Sequence, residues 1–249
     1  MRIDHLFRHL NFLPLVIGML CSAASQFAFA GQFTVTPVRM FLTPQDRAIA
    51  VTITNEGDAP LVMQADLYSW KQKPGGEDDL VLTEDLILSP PVLKLAPKSR
   101  QVVRLARVKR VQSADQQTYR MIVREIPEAL QTNSGLQLQV ALAFSMPVFI
   151  TPPTAKRQVS CVAERSAGNV VRAICENKGN AYAQLRELTL SSDTGEKLAA
   201  SEAGGYILPD VKRGFDVKRA GARIPGGKAR LTIVLDDGAI QNFDVTIPE

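Results

Sequence analysis

Histidine is nearly missing from this sequence. Of its 249 residues only two are histidines, His5 and His9, and both fall within the first 30 positions. The remainder of the chain can therefore build no Ser-His-Asp triad, no Cys-His pair and no histidine metal site. Carboxylates alone could still catalyse, but no motif commits a pair of them, so the chain reads as a non-enzyme with no cofactor and no metal. Charge of one sign is also lacking: 29 basic and 25 acidic residues leave a net charge of +4. That balance is too mild and too dispersed for a nucleic-acid partner, and the basic run "RVKRVQ" at 107–112 reads as a solvated loop or strand end. Long apolar runs are absent beyond the start of the chain, and no later segment approaches the roughly 20 apolar residues of a membrane span. The glycine-rich stretch "GARIPGGKAR" (221–230) has one glycine too many before Lys228 and no Ser or Thr after it. It predicts a hairpin turn and no phosphate loop.

The opening 30 residues read as a removable leader. Arg2 and Arg8 supply a basic start, Leu13 to Ala24 is mostly apolar or small, and Ala28-Phe29-Ala30 has the small-x-small form of a cleavage site. Residues 1–30 are thus expected to be a signal peptide, with the exported chain beginning at Gly31. Leu20 is too bulky for the lipid-attachment site that Cys21 would otherwise suggest. With the leader gone, three cysteines become two, Cys161 and Cys175, and an even number in an oxidising compartment predicts a disulfide. The two lie seven residues either side of Gly168, in the turn "SAGN", so a symmetric hairpin sets them opposite each other on paired strands.

What remains reads as β structure almost throughout. "RAIAVTITN" (47–55), "LVMQADLYSW" (61–70), "RQVVRLARV" (100–108) and "TYRMIVREI" (118–126) alternate or are rich in β-branched residues, with Gly, Pro, Asn or Asp between them. Short strands at this spacing imply an all-β fold of sandwich type. The prolines of "TPPTAKR" (151–157) mark a boundary. Two immunoglobulin-like β-sandwich domains are expected, at 31–151 and 152–249, and Trp70 is expected to cap a core.

One strand stands out. In "LQLQVALAFSMP" (136–147) the residues Leu136, Leu138, Val140, Leu142, Phe144 and Met146 occupy one face of a period-two strand. Either that face belongs to the protein's own core, or part of it is covered by another protein.

Several segments together resemble the periplasmic chaperones of the chaperone–usher pilus pathway. They are "PVRMFLTPQDRAIAVTITNEGDAPLVMQADLYSW" (37–70), "LSPPVLKLAPKSRQVVRL" (88–105), "YRMIVREIPE" (119–128) and "PVFITP" (147–152). "CENKGNAYAQLREL", "YILPD" and "LDDGA" carry the likeness, more loosely, to the end of the chain. The missing lysine noted below, "FSMPVFIT" and the short 127–135 connection look like the archaic branch of these chaperones.

The resemblance implies two immunoglobulin-like domains in a boomerang, and a last strand of the first domain that is lent to a pilus subunit. Leu138, Val140, Leu142 and Phe144 would then be donor residues, with Leu136 and Met146 at the ends. The implied partners are pilus subunits and an outer-membrane usher, with self-association possible when the apolar strand is free. The family also anchors the subunit's C-terminal carboxylate with a first-strand arginine, which Arg39 matches, and a donor-strand lysine. Pro147 stands in the lysine's place, and Arg104 or, behind it, Arg124 would supply the second cation. The competing reading is an immunoglobulin-like adhesin or carbohydrate-binding sandwich.

Overall fold

The computed structural model describes residues 33–109, 113–127 and 140–249. The leader lies outside them. The described residues form seventeen strands and no helix. The first ten are β1 (Phe33–Thr36), β2 (Met40–Leu42), β3 (Ala48–Asn55), β4 (Leu61–Gln72), β5 (Asp78–Leu82), β6 (Leu86–Ser89), β7 (Val92–Leu95), β8 (Arg100–Arg107), β9 (Gln117–Glu125) and β10 (Ala143–Ile150). The other seven are β11 (Val159–Ala167), β12 (Val170–Asn177), β13 (Ala183–Ser192), β14 (Lys197–Ile207), β15 (Lys212–Lys218), β16 (Gly227–Leu235) and β17 (Ile240–Ile247).

They make two immunoglobulin-like sandwiches in series. In the first, a sheet ordered β1-β3-β8-β6 faces one ordered β2-β10-β9-β4-β5, with β7 also paired to β4. In the second, β11-β12-β15 faces β14-β13-β16-β17. Period-two alternation drives both. On β9, Tyr119, Met121 and Val123 are buried while Arg120, Ile122 and Arg124 face outward. The inward residues meet Val51, Ile53, Val103 and Leu105 from the opposing sheet, and Leu188, Leu190, Leu231 and Ile233 do the same work in the second domain.

Two residues break the alternation, and they join the domains. Trp70 follows Ser69 out of register with Leu61, Met63, Ala65 and Leu67, so it points to the opposite face of β4. Phe149 lies between Val148 and Ile150, all three buried. Both residues belong to the hydrophobic core of the second domain. The run from Met146 to Ile150 is therefore apolar on both faces because a core lies on each side of it. Trp70 bridges two domains where a cap on one was expected.

Polar contacts fix the junction. Gln72 donates to the Tyr206 carbonyl at 3.2 Å and accepts from the Leu208 amide at 2.9 Å. Gln116 accepts from the Tyr182 amide at 2.9 Å. The hairpin between β4 and β5 reaches across as well, with the Gly75 amide on the Lys212 carbonyl at 3.1 Å. Gly75 and Gly76 have φ of 101° and 87°, a left-handed pair that glycine adopts without a steric penalty.

In the second domain Cys161 and Cys175 are opposite partners of β11 and β12 and form a disulfide, their Cα atoms 4.1 Å apart. That separation suits the closely spaced type of antiparallel pair. A bulge between Arg165 and Ala167 shifts the last pair of this hairpin, a detail the symmetric spacing about Gly168 does not reveal.

Candidate functional site

The site grows from the pairing of β10. On one side it runs antiparallel to β9 along its whole length, from Ala143 opposite Arg124 to Ile150 opposite Gln117. On the other side β2 runs parallel to it, but only from Val148 opposite Met40 to Ile150 opposite Leu42. Among the described residues, the edge of β10 from Ala143 to Pro147 has no ladder partner. An open edge of this kind is a template for another strand.

The backbone direction at each position follows from two hydrogen bonds. The Glu125 amide donates to the Leu142 carbonyl at 2.9 Å, and the Thr151 amide to the Leu42 carbonyl at 2.8 Å. Antiparallel pairs alternate between hydrogen-bonded and non-hydrogen-bonded. Even-numbered residues of β10 therefore point their amides and carbonyls at β9, and odd-numbered ones point them at β2 or, before it, at the open edge. Pro147, which has no amide hydrogen to donate, is one of the odd ones. Its ring costs the β9 ladder nothing, in keeping with the confinement of proline to edges.

Side chains on the inward face of β10 pass from solvent to core along the chain. Val140 is 58% exposed, Phe144 is 41% exposed and Met146 is 3% exposed. Leu142 packs partly against the first core, and the Phe144 ring meets Phe33 edge-on at 4.8 Å. Met146 is thus a correction to the sequence reading. The opposing sheet closes over it, so it is a core residue of its own domain and the accessible row ends at Phe144. Leu136 and Leu138 lie outside the described residues.

Where the open edge meets β2, cations gather. The register Val148–Met40 puts Arg39 level with Pro147. Arg39 Nη1 donates to Asp236 Oδ2 at 2.9 Å and to Gln184 Oε1 at 3.1 Å, both in the second domain. Asp236 is a nearly buried hub that also accepts from the Tyr182 hydroxyl at 3.0 Å and pairs with Arg157 at 3.5 Å. Arg157 pairs in addition with Asp237. Burial opposes the charge on Arg39, but the neighbouring Tyr206, Tyr182 and Asp236 outweigh it and its pKa is raised. Both of these bonds leave from one nitrogen, and the Arg39 side chain is part-exposed.

On the other side of Pro147, directly opposite it on β9, is Arg120. Its guanidinium lies 3.8 Å from the Trp70 ring centre and 5.3 Å from that of Tyr206, a cation–π sandwich, and it reaches Asp78 at 3.4 Å. Burial lowers its pKa against the pull of Asp78 and Tyr206. Arg120 Nε and Trp70 Nε1 are buried donors without a hydrogen-bond partner among the described residues. Arg39 and Arg120 thus flank Pro147 on one face of the sheet, with Tyr206 near both.

The structure does not bring the other expected cations here. Arg104 is exposed on β8, in the opposite sheet, paired in register with Ala50 and Ser89. Val103 and Leu105 on either side of it are buried, so alternation turns its side chain to solvent, away from the second domain. Arg124 is four residues along β9 from Arg120, opposite Ala143, and is engaged by Asp66 and the Tyr68 hydroxyl, each at 3.2 Å. Sequence reasoning missed Arg120. Its only local signal is an outward-facing position in "TYRMIV", and its place beside Pro147 becomes visible only once β9 and β10 are in register.

Residues 32–156 match the family described as pili and flagellar-assembly chaperone, PapD N-terminal domain. Solved structures extend the likeness over both domains. A chain of the CsuC–CsuE chaperone–tip adhesion subunit pre-assembly complex, from archaic chaperone-usher Csu pili of Acinetobacter baumannii, is 20% identical with a TM-score of 0.63, covering 88% of this chain and 100% of its own. The E. coli chaperone DraB is 19% identical with a TM-score of 0.54, covering 88% of this chain and 97% of its own. A chain of the Salmonella enterica SafA pilin complex with the SafB chaperone is 13% identical with a TM-score of 0.57, covering 88% and 97%. No curated protein sequence matches significantly.

Proposed function

The chain belongs to the pili and flagellar-assembly chaperones of the chaperone–usher pathway, and from that premise we propose that it caps pilus subunits in the periplasm by lending them the open edge of β10. Export through the residue 1–30 leader and delivery of the subunit to an outer-membrane usher belong to the same reading.

The observation that carries it is an unpaired edge, from Ala143 to Pro147, that is closed at one end by Arg39 and Arg120. A subunit lacking its last strand exposes an apolar groove and an unpaired edge, both liabilities for aggregation. Strand addition satisfies its backbone groups while Val140, Leu142 and Phe144 enter the groove. Each such side chain contributes about 1.5–3 kcal/mol when fully buried, before the costs of ordering and association. Leu136 and Leu138 would extend the same row.

The charges select a direction. A subunit strand parallel to β10 ends with its carboxylate at the arginines, whereas an antiparallel one would bring its ammonium terminus there. Arginine suits a carboxylate because its fork binds both oxygens. Asp236 and Gln184 hold Arg39 by one nitrogen, with Tyr206 also beside it, and the part-exposed guanidinium offers its remaining N–H groups to that fork. Arg120 takes the role expected of the donor-strand lysine.

Native mass spectrometry of the exported chain, coexpressed with the small β-rich proteins encoded beside it, tests this reading. A one-to-one complex is expected, and Arg39→Ala combined with Arg120→Ala should remove it. The free chain alone, while the fibre is being made, would overturn the reading.

A further inference from the structure

Pro147 is a departure from the family pattern that the anchor described above leaves without a role. Resting on the strand-addition reading, we propose that Pro147 ends the intermolecular ladder and fixes the last residue of the incoming strand at the level of Met146.

The argument starts from the direction of the backbone groups. On the open edge of β10 the donors are the amides of Ala143 and Ser145, and the next donor in line would be residue 147. Proline removes it. In a parallel ladder an odd residue of β10 donates to the carbonyl of the residue before its partner and accepts from the amide of the residue after it. Ser145 therefore serves both neighbours of the residue opposite it. The carbonyl of the next residue, level with Met146, is the one that would need an amide at 147. An internal peptide carbonyl there is left without its ladder donor. A terminal carboxylate at the same place meets the guanidinium groups of Arg39 and Arg120, which flank Pro147 and supply charged donors instead.

A second constraint acts at the same level. Arg39 precedes Met40, and Met40 is paired with Val148, so Arg39 and then β2 occupy the line of the incoming strand from about the level of Pro147 onward. An added strand has one residue's room past Ser145 before it meets Arg39. Sterics thus stop the strand where the donor is missing, and the group placed there is its free end. Pro147 makes the site selective for a chain terminus, because the missing amide penalises any group that the arginines cannot serve.

The probe is a synthetic acetylated peptide of alternating Val and Thr, made with a free C-terminal carboxylate and with a C-terminal amide. In Ser145→Cys, single cysteines placed at the last, penultimate or third-last residue of the acid peptide should cross-link unequally. The penultimate position, opposite residue 145, should lead by about tenfold. Titration of the native chain should show the acid binding more tightly than the amide. Pro147→Ala, which restores the amide hydrogen, should narrow that ratio by roughly threefold to tenfold, the worth of one hydrogen bond. A lead by either other position, or an unchanged ratio in Pro147→Ala, overturns the role of Pro147 while leaving strand addition intact. Failure of every peptide to bind or cross-link overturns both.

Discussion

Each domain ends a core strand with a buried asparagine followed two residues on by glycine. Asn55 closes β3, donates to the carbonyls of Ala59 at 2.8 Å and Ala96 at 3.1 Å, and accepts from the Gly57 amide at 2.9 Å. Asn177 closes β12, donates to the carbonyls of Ala181 at 2.7 Å and Ile207 at 3.0 Å, and accepts from the amides of Gly179 and Gln158. The two sandwiches thus secure a strand-to-turn junction in the same way. They differ in what is left over. The second is stapled across β11 and β12 by its disulfide. The first has no such bridge and holds Val140 and Phe144 in partial exposure beside an open edge. The second domain spends its apolar residues on its own core and on covering Trp70 and Phe149, whereas the first leaves part of an apolar strand uncovered.

The largest effect should separate the two ends of the β10 face. Val140→Ala with Phe144→Ala should cut subunit binding by about 3–6 kcal/mol if both side chains are fully buried in the complex, while shifting chaperone stability by under about 1 kcal/mol. Met146→Ala should do the reverse, costing roughly 2–5 kcal/mol of stability through a core cavity. Urea melts and subunit titrations on the two variants read both quantities. Equal stability losses would mean that the strand is one uniform core element.

Reduction of the disulfide should be felt in the second domain alone. The loop closed by a bridge of sequence separation 14 is worth about 3 kcal/mol in the chain-entropy view. A denaturation curve with dithiothreitol should show the second domain unfolding earlier, and peptide binding at β10 should survive at low denaturant. Two free thiols in the unreduced protein, titrated under denaturing conditions, would remove the bridge from the comparison.

These contrasts bear on what could be read before the fold was in hand. The alternation in "TYRMIVREI" identified β9, and the symmetry of Cys161 and Cys175 about Gly168 gave their pairing, because period and spacing are local properties. Met146 could not be assigned in this way. Period two says which residues share a face, and it is silent on where along the strand the cover changes from the protein's own sheet to something else. Arg104 and Arg120 are both outward residues of apolar strands, indistinguishable by pattern. Only the register of β9 against β10, and of β10 against β2, puts Arg120 across Pro147 from Arg39 and leaves Arg104 on the far sheet. Trp70 read as a core cap because parity along β4, which sets it on the face opposite Leu61, Met63, Ala65 and Leu67, does not say that a second domain covers that face.

A smaller effect probes the shared asparagines. Asn55→Ala and Asn177→Ala each orphan at least two backbone groups that are buried or part-buried, and each should cost on the order of 1–3 kcal/mol. If the junction works alike in both domains, the two losses should agree within about 1 kcal/mol, as urea midpoints would show. A large inequality would mean that the domain interface, which Asn177 approaches through Gln158 and Ile207, adds to one of them.

The smallest effect appears only in alkali, and it asks whether the domains lose stability together. Burial in the first domain, reinforced by the Asp85 carboxylate 3.3 Å away, pushes the Tyr119 phenol up to about 12. Burial and then Asp236 push Tyr182 of the second domain up as well. An unfolded phenol ionises near pH 10. Between that value and the folded pKa the unfolded chain has released a proton that the folded chain still holds, so stability falls as pH rises through the window. Below about pH 9 neither group should contribute any slope. Tyr119→Phe should flatten the alkaline fall of the first domain and Tyr182→Phe that of the second, each read from urea midpoints between about pH 9 and about pH 11. If one substitution flattens both transitions, the contacts through Gln72, Gln116 and Trp70 make the two sandwiches a single unfolding unit, and their difference lies in the open edge of the first more than in how each one melts.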